Sequence, residues 1–292
     1  MYIQDKVICQ KQVAVLLATY NGEKYLAEQI DSLLRQTYTD FCVYIHDDGS
    51  KDETQALLQR YEQQYPNKIF ILDYPPVGGA CMNFFSMIGH VEAPYYAFCD
   101  QDDVWHKDKI ALCMTAMTEA VRGNAGKPYV IHSDLRIVDE NGAVVHDSFW
   151  KACRMHPEIY HNLSQRVSSI IPGCTMLINH RVKEIMGNTS HALMHDFWLT
   201  VRTLAEDGAV ITIPAALIDY RQHGKNELGA ESCYKTMTMM DKLHKIPSLF
   251  SAHIATYCML HKAGYGSVFV YILNKVRERI LNKRLDKKKH WR

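Results

Sequence analysis

Residues 95–105 read Tyr95-Tyr-Ala-Phe-Cys-Asp-Gln-Asp-Asp-Val-Trp105, a short apolar run that ends in three carboxylates within four positions. Carboxylates held so close repel one another, and a shared divalent cation relieves the repulsion. Mg²⁺ and Mn²⁺ take one or two carboxylates and leave their other positions to water and phosphate oxygens. The stretch therefore indicates a strand that ends at a metal and phosphate site, with a solvated acidic turn as the alternative.

Two earlier segments repeat this pattern of an apolar run followed by a polar loop. Residues 13–18 lead into Thr19-Tyr-Asn-Gly22, and residues 41–45 lead into His46-Asp-Asp-Gly-Ser50. Helical spacing of apolar residues follows each loop, and strands that alternate with helices predict a parallel sheet with ligands at the carboxyl ends of its strands. We therefore predict that these two loops and the acidic loop at 100–103 converge in one cleft of an α/β nucleotide-binding half.

The rest of the chain predicts a mixed sheet packed onto this half, because no linker-like segment intervenes. Helices are expected at about 25–34, 53–64, 80–88, from about 107, and at 197–204. Further strands are expected at 68–72, 129–134, 170–178, 210–214 and 217–221, with a turn at Asn141-Gly142. The strand at 170–178 is expected to be broken by Pro172-Gly173.

Charge and cysteine content narrow the class of protein. The net charge of +1 argues against a nucleic-acid-binding surface, although residues 275–292 carry nine Lys or Arg against two acidic residues. Nine cysteines without a CxxC pair argue for a reducing cytoplasm and against a structural zinc site. No apolar stretch approaches the length of about eighteen residues that a membrane span needs, and the first residues lack a signal-peptide core.

Seven motifs in order resemble glycosyltransferase family 2, and the last three resemble its bacterial rhamnosyltransferase-like branch. They are Ala18-Thr-Tyr-Asn-Gly-Glu-Lys-Tyr-Leu26, Gln36-Thr-Tyr38, Asp47-Asp-Gly-Ser-Lys-Asp-Glu-Thr54, Asp100-Gln-Asp-Asp-Val-Trp105, Pro172-Gly-Cys-Thr175, His195-Asp-Phe-Trp198 and Tyr220-Arg-Gln-His-Gly224. The resemblance implies a GT-A-type domain over residues 1–230, in which a Rossmann-like nucleotide-binding half at 12–105 shares a mixed central sheet with an acceptor-binding half at 106–230. A helical extension at 231–292 is expected to follow.

The resemblance also implies a nucleotide site. Asp48 is expected to accept the imide N–H of a uracil or thymine ring, unless the segment at 47–50 is only a turn and helix cap. Gly79 allows a close backbone approach, although a plain turn before a helix explains that segment as well. The expected nucleotide-binding residues are Thr19, Tyr20, Glu23, Asp48, Gly79, Asn83 and Asp100.

For the metal, Mn²⁺ or Mg²⁺, the resemblance implies Asp102 as the main ligand, and His223 is expected to complete the shell. Arg221 and Gln222 are expected near the diphosphate. Asp103 is expected to cap the helix that begins near Lys107, or to support the ligands from behind.

Asp196 is the candidate catalytic base, because inverting transfer needs a carboxylate that takes the proton of the acceptor hydroxyl. The alternative makes it the N-cap of the helix at 197–204, and that helix terminus is expected to hold the carboxylate ionised. Trp198, like Trp105, is interpreted as either a core or a sugar-stacking residue and is assigned to the acceptor side.

The resulting prediction is an inverting, metal-dependent glycosyltransferase that adds one sugar to a hydroxyl of a growing surface polysaccharide on a polyprenyl diphosphate carrier. dTDP-rhamnose is the favoured donor, ahead of UDP-galactose or UDP-glucose, and the expected place is the cytoplasm at the inner face of the plasma membrane. A nucleotidyltransferase or a non-catalytic sugar-nucleotide-binding protein are the alternatives. Apolar residues at 269, 272, 273, 276 and 280 between cations predict a basic amphipathic helix that lies on a membrane or docks on the protein.

Overall fold

The structure is a computed structural model that describes residues 6–160, 162, 167–168, 171–224 and 246–289, and the side chains of these residues except 246–250 and 289. The strands are β1 (Val7–Ile8), β2 (Val13–Thr19), β3 (Phe41–Asp47), β4 (Ile69–Ile71), β5 (Val91–Glu92), β6 (Tyr95–Asp100), β7 (Val104–Trp105), β8 (Tyr129–Val138), β9 (Val144–His146), β10 (Leu177–Asn179) and β11 (Ala209–Arg221). The helices are α1 (Leu26–Leu34), α2 (Thr54–Gln64), α3 (Ala80–His90), α4 (Lys109–Gly123), α5 (Phe149–Ala152), α6 (His180–Ile185), α7 (His195–Ala205), α8 (Ile246–Lys262) and α9 (Val268–Lys289).

A mixed sheet forms the centre of the described part of the chain, in the order β4-β3-β2-β6-β10-β8-β11-β7, with β9 beside β8. The strands β4, β3, β2 and β6 are parallel, and β10 runs antiparallel to both of its neighbours, β6 and β8. β11 runs parallel to β8, and β7 antiparallel to β11. The predicted mixed α/β architecture is therefore confirmed.

β2 shows why the first half folds as predicted, because all seven of its residues are buried. Val13, Val15 and Leu17 pack in a core cluster with residues of α1 and α4. Ala14 and Leu16 point to the other side and pack with residues of α3 and α7. A strand covered on both faces by helices needs the continuous apolar run that the sequence shows.

The register of the parallel strands brings the polar loops together. Thr19 pairs with Asp47 on one side of β2, and Ala18 pairs with Asp100 on the other. The carboxyl ends of β2, β3 and β6 therefore lie at one edge of the sheet, and the predicted convergence of the three loops is confirmed.

The second half departs from prediction at its prolines. The two strands expected at 210–214 and 217–221 form the single strand β11, with register shifts after Ile213 and after Ala216, because Pro214 has no N–H to donate. The strand expected at 170–178 is reduced to β10, since Pro172 is followed by a 3₁₀ turn at Gly173–Thr175.

At the C-terminal end, α8 and α9 pack on the α7 side of the sheet through residues such as Met259, Leu260 and Tyr271. None of the helices described in the structure has both the length and the apolar character needed to cross a bilayer. The domain boundary predicted at 230 lies outside the described residues.

Candidate active site

Asp47, at the end of β3, organises the loop that follows it. Its carboxylate accepts hydrogen bonds from the N–H of Ser50 at 3.0 Å, from the Ser50 hydroxyl, and from Nε2 of Gln55 at 2.9 Å. The hydroxyl of Thr19, which is buried, donates to the same carboxylate at 3.1 Å. Thr19, a predicted nucleotide residue, therefore joins the ends of β2 and β3.

Asp48 binds the glycine loop that precedes α3. Its carboxylate accepts the N–H groups of Val77 at 2.6 Å, Gly78 at 3.1 Å and Gly79 at 2.7 Å. Both glycines have positive φ, 85° and 95°, which a residue with a side chain rarely adopts. The Gly78 N–H lies 3.1 Å from each carboxylate oxygen, so both oxygens already accept two hydrogen bonds, and a nucleobase donor would have to take the place of one of these N–H groups.

Asn83 lies behind this loop and is buried. Its Oδ1 lies 2.8 Å from Nδ1 of His46, and its Nδ2 donates to the carbonyl of His46 at 3.2 Å. Nε2 of His46 lies 3.0 Å from the carbonyl of Tyr74, whose ring stacks on the His46 ring at 3.7 Å. The expectation that Asn83 lines the nucleotide site is corrected, because the first turn of α3 directs it inward, where it supports the end of β3.

The loop at 19–22 is clamped to the acidic loop. The N–H of Tyr20 donates to Oε1 of Gln101 at 2.9 Å, and Nε2 of Gln101 donates to the carbonyl of Tyr20 at 2.9 Å. The Tyr20 ring is 55% exposed and is available to a ligand. Glu23, an expected nucleotide-binding residue, accepts the N–H of Glu53 at 2.9 Å and so holds the loop at 19–22 against the residues before α2.

The acidic loop separates its carboxylates by depth. Asp103 is buried and accepts the N–H of Arg221 at 3.1 Å, while its Oδ2 has no hydrogen-bond partner among the described residues. Burial and the neighbouring charges of Asp102 and Asp100 raise the pKa of Asp103 well above its usual range. The expectation that Asp103 caps the following helix is wrong, since α4 begins at Lys109, directly after Asp108.

Ligand atoms of Asp100, Asp103 and Cys174 lie within 4.8 Å of one another and form a candidate metal cluster. The orphaned Oδ2 and the crowded carboxylates fit a divalent cation. Carboxylate oxygens suit Mg²⁺ or Mn²⁺, whereas the buried thiol of Cys174 suits softer ions better. Cys174 and its neighbour Gly173 carry no role in the sequence prediction, although their motif was recognised.

Asp102 and His223, the predicted metal ligands, face each other above this cluster. Oδ2 of Asp102 lies 2.8 Å from Nε2 of His223, and the His223 ring stacks on Tyr25 at 4.9 Å. The structure thus brings together the acidic loop and the residues just after β11, which are 121 positions apart.

Arg221 is buried behind that pair, and its guanidinium joins three segments. Nε donates to the carbonyl of Asp102 at 3.0 Å, Nη1 to the carbonyl of Glu140 at 3.1 Å, and Nη2 to Glu28 at 2.6 Å. The predicted contact of Arg221 with a diphosphate would require these bonds to be exchanged. Gln222 is also buried and donates through Nε2 to the carbonyl of Arg221 at 3.2 Å. Arg221 therefore holds the acidic loop in this arrangement.

Asp196 lies in the first turn of α7, two positions after Met194, so it is not the N-cap. It is buried and accepts the N–H of Phe197 at 2.5 Å. Burial raises its pKa to about 7, although the N–H groups of Phe197 and Gly173 act in the opposite direction. The expectation that the helix terminus keeps this carboxylate ionised is therefore wrong, because desolvation is the larger effect.

His195 connects the Pro-Gly-Cys motif to α7. Its ring is buried between Phe84 at 4.3 Å and Phe98 at 5.1 Å, and burial lowers its pKa to about 3, which keeps it neutral. A methyl group at Gly173 would collide with Nε2 and Cε1 of this ring. The two motifs are thus one packed unit, and the glycine permits the close approach.

Trp198 is 3% exposed, and its Nε1 donates to the carbonyl of Met186 at 2.8 Å. The expectation that Trp198 meets the acceptor is corrected, because its ring belongs to the core. Trp105 is also buried, with Nζ of Lys109 at 3.5 Å from its ring.

Comparisons with known proteins show the family of this chain. The family model described as Glycosyl transferase family 2 matches residues 14–185. The chain is 29% identical over 235 residues to the dTDP-rhamnosyl transferase RfbG of Shigella flexneri, covering 75% of each protein. It is 26% identical to the uncharacterized glycosyltransferase RP339 of Rickettsia prowazekii, covering 63% of this chain and 56% of that one.

Two solved structures have a similar fold. TarS 1–349 of S. aureus in complex with UDP has a TM-score of 0.53 at 19% identity, covering 72% of this chain and 60% of that one. The mannosyltransferase PcManGT of Pyrobaculum calidifontis, in complex with GDP-Man and Mn²⁺, has a TM-score of 0.56 at 14% identity, covering 96% and 84%. The predicted GT-A fold is confirmed.

Proposed function

This chain belongs to glycosyl transferase family 2 and is a glycosyltransferase, and we propose that it adds one sugar to its acceptor with inversion at the anomeric carbon. The observation that carries the proposal is the alignment of the ends of β2, β3 and β6, which sets Asp48 and the acidic loop at one edge of the sheet. Such an edge is where α/β sheets bind nucleotides.

The proposed donor is dTDP-rhamnose, with UDP-galactose or UDP-glucose as the second choice. A nucleotide-sugar donor is supported by similar structures that hold UDP, UDP-GlcNAc and GDP-Man. RfbG, which this chain matches over 75% of each protein, is named a dTDP-rhamnosyl transferase, and this similarity favours dTDP-rhamnose. In this proposal the Asp48 carboxylate accepts the imide N–H of thymine or uracil in place of one N–H of the glycine loop. The exposed Tyr20 ring covers the base or ribose, next to Gly79 and Asp100.

Glycosyltransferases of this fold commonly use a divalent cation, and PcManGT holds Mn²⁺. We retain Asp102 and His223 as the proposed ligands, because both side chains are only partly buried and can meet a diphosphate. Asp100 connects them to the buried side chains of Asp103 and Cys174, with which it forms the candidate metal cluster. The ion, Mn²⁺ or Mg²⁺, supplies positive charge that stabilises the nucleoside diphosphate as it leaves.

Asp196 acts as the base in this proposal. A pKa near 7 suits a group that must be ionised to accept a proton and then release it at cytoplasmic pH. The acceptor hydroxyl loses its proton to the carboxylate as its oxygen bonds to the anomeric carbon and the bond to the diphosphate breaks. The products are one glycoside, one nucleoside diphosphate and one proton.

The proposed acceptor is a hydroxyl of a growing surface polysaccharide on a polyprenyl diphosphate carrier, at the cytoplasmic face of the membrane. The chain is also 31% identical over 107 residues to the putative teichuronic acid biosynthesis glycosyltransferase TuaG of Bacillus subtilis, covering 37% of this chain and 42% of that one. That similarity favours polysaccharide synthesis over other acceptors.

The first test is a thermal-shift panel of UDP, dTDP, GDP and CMP, each with Mn²⁺ or with EDTA. A ligand that binds only the folded state at a hundredfold excess over Kd stabilises it by about 2.7 kcal/mol. We expect a metal-dependent shift that is largest with dTDP. A panel without any shift would overturn the proposed mechanism and leave the fold unaffected.

The two other candidate classes make different predictions. A nucleotidyltransferase needs a basic, glycine-rich triphosphate loop, whereas the loop after β2 offers Gly22 and Lys24, and Lys24 pairs with Glu140 at 3.0 Å. A non-catalytic binding protein would bind the donor but give no product from any acceptor. Asp196→Asn distinguishes the two classes. Donor binding should survive in both, but only an enzyme would lose turnover.

A further inference from the structure

The helix α9 docks on the protein through one face that carries both of its acidic residues. Glu278 accepts hydrogen bonds from the hydroxyls of Tyr160 at 2.5 Å and Ser168 at 3.1 Å. Asp286 lies 3.0 Å from Nε2 of His156, which is buried. Tyr271, on the same face, is 4% exposed. The negative charges of the helix are therefore directed inward.

The opposite face is apolar and exposed. At 100° per residue its five members form one stripe about 16 Å long along the helix. Each of them is between 47% and 67% exposed: Phe269, Ile272, Leu273, Val276 and Ile280. Single exposed apolar residues are ordinary on a protein surface, but a continuous stripe marks a surface that meets an apolar partner.

Exposed cations surround this stripe. Arg277 and Arg279 lie on either side of the stripe. Lys283, Arg284 and Lys287 lie on the same face of the helix, between the stripe and the C-terminal end of α9. Since Glu278 and Asp286 face inward, no carboxylate of α9 offsets these charges on the outer face.

We propose that α9 lies along the surface of an anionic lipid bilayer, with the apolar stripe in the boundary between headgroups and acyl chains and the cations among the lipid phosphates. A helix of this kind lies in the plane of the membrane and does not span it. Charge complementarity selects the lipid as occupant. A second copy docked symmetrically would set the same five cations against one another, whereas anionic headgroups attract them.

Through its docking face, α9 contacts the part of the chain that leads to the proposed acceptor site. Tyr160 and Ser168, which hold Glu278, lie in the chain segment that leads to Pro172 and Gly173 beside Asp196. A bilayer under α9 would thus fix the orientation of the acceptor half, whichever donor the cleft takes.

The test is co-sedimentation of the full chain with phosphatidylcholine vesicles, with and without phosphatidylglycerol. We expect binding that needs the anionic lipid and weakens with salt. The pair Ile272→Gln and Ile280→Gln should lower the partition coefficient about tenfold or more through lost apolar insertion. The pair Lys283→Gln and Arg284→Gln should lower it by a similar factor through lost attraction.

Matched controls change equally exposed residues elsewhere. Ile8→Gln with Leu112→Gln, and Lys11→Gln with Arg122→Gln, should leave partition unchanged. All four double variants should keep their unfolding temperature and the metal-dependent dTDP shift, so a failure of lipid binding is distinguishable from a failure of the proposed function. The proposal would be overturned if the wild type bound vesicles equally well with and without phosphatidylglycerol. It would also be overturned if Ile272→Gln with Ile280→Gln left the partition coefficient unchanged. A wild-type dimer in light scattering that Ile272→Gln with Ile280→Gln converts to a monomer would also overturn the proposal, because the stripe would then bind a second copy.

Discussion

At the scale of the residue, Asp196 links pH to both stability and activity. Its folded-state pKa is about 7, whereas an unfolded Asp has a pKa of about 3.9. The folded protein therefore loses stability as the pH rises from about 4 to about 7, and the loss is complete above the folded pKa. We expect Asp196→Asn to exceed the wild type in stability at pH 8 by up to about 4 kcal/mol, and by much less at pH 5, in denaturant unfolding.

The same substitution should lower kcat by roughly 10²–10⁴, which is the usual contribution of a general base. The wild-type kcat/KM should rise with pH through about 7, and the residual rate of the variant should lose this dependence. Asp207→Asn, at an exposed side chain, serves as the control and should change neither quantity. Full turnover in Asp196→Asn would refute its role as the base.

Gly173→Ala tests the packing of the two motifs at the acceptor side. The added methyl group collides with the His195 ring, which Phe84 and Phe98 hold in place, so the start of α7 must move. We expect a loss of about 1–3 kcal/mol in stability. A displacement of Asp196 by about 1 Å should reduce turnover about 100-fold. Donor affinity, measured by thermal shift with dTDP, should stay unchanged.

Gly89→Ala is the matched control, because it lies within α3 with open space around it. It should leave turnover unchanged. Adding His195→Ala to Gly173→Ala makes room for the methyl group and should recover part of the lost stability. If the double variant were less stable than the sum of the two single changes, the collision would not be the cause.

At the scale of the element, the sequence predicts most accurately where local pattern and environment agree. β2, β3 and β6 begin at the predicted Val13, Phe41 and Tyr95, because a continuous apolar run is what a strand buried on both faces requires. The β10 and β11 predictions fail around Pro172 and Pro214, since a missing N–H breaks the ladder in a way that hydropathy does not register.

The sequence indicates where along the strands the candidate site residues lie, but not which residues they contact. The sequence sets Asp48 and Asp102 at the ends of strands, and the structure agrees. It cannot show that Arg221 is engaged by Glu28, which lies 193 positions away, or that burial raises the pKa of Asp196. Such contacts depend on the order of the strands in the sheet, and the local sequence pattern carries no information on strand order.

Arg221→Gln tests the contact between β11, α1 and the acidic loop. The change removes three buried donor groups and leaves the carbonyls of Asp102 and Glu140 without them. We expect a loss of about 2–3 kcal/mol in urea unfolding, as for hydrogen bonds of charged groups. Mn²⁺ affinity, measured by titration calorimetry, should fall because the Asp102 loop is no longer held.

Arg202→Gln is the matched control, since Arg202 of α7 donates to the carbonyls of Ile185 and Ala263 and to the carboxylate of Glu206, which follows the helix. It should lose stability as well but keep its Mn²⁺ affinity. If Arg221→Gln weakened dTDP binding and left Mn²⁺ affinity intact, the predicted direct contact with the diphosphate would be correct after all.

At the scale of the whole molecule, the acidic edge of the sheet should make stability depend on metal. The carboxylates of the acidic loop crowd together, and a cation that binds only the folded protein raises its stability by RT ln(1 + [L]/Kd), where [L] is the free cation concentration. We expect Mn²⁺ at a hundredfold excess over Kd to raise the unfolding temperature by about 5–10 °C at pH 7.5.

The rise should shrink as the pH falls, because protonated carboxyl groups bind no metal. Asp102→Asn should remove most of the response. Asp40→Asn, at an exposed pair with Lys11, should retain it. An EDTA-treated wild type that does not respond to Mn²⁺ would argue against any metal at this edge.

The strand order also bears on how the chain emerges from the ribosome. β6 can join β2 as soon as residue 100 is available, but its second edge stays open until residues 177–179 of β10 have been translated. An open strand edge is a template for pairing with other chains. The nascent protein thus carries the paired strands β4, β3, β2 and β6 with an unprotected edge through much of its synthesis, a period in which chaperones would be most needed.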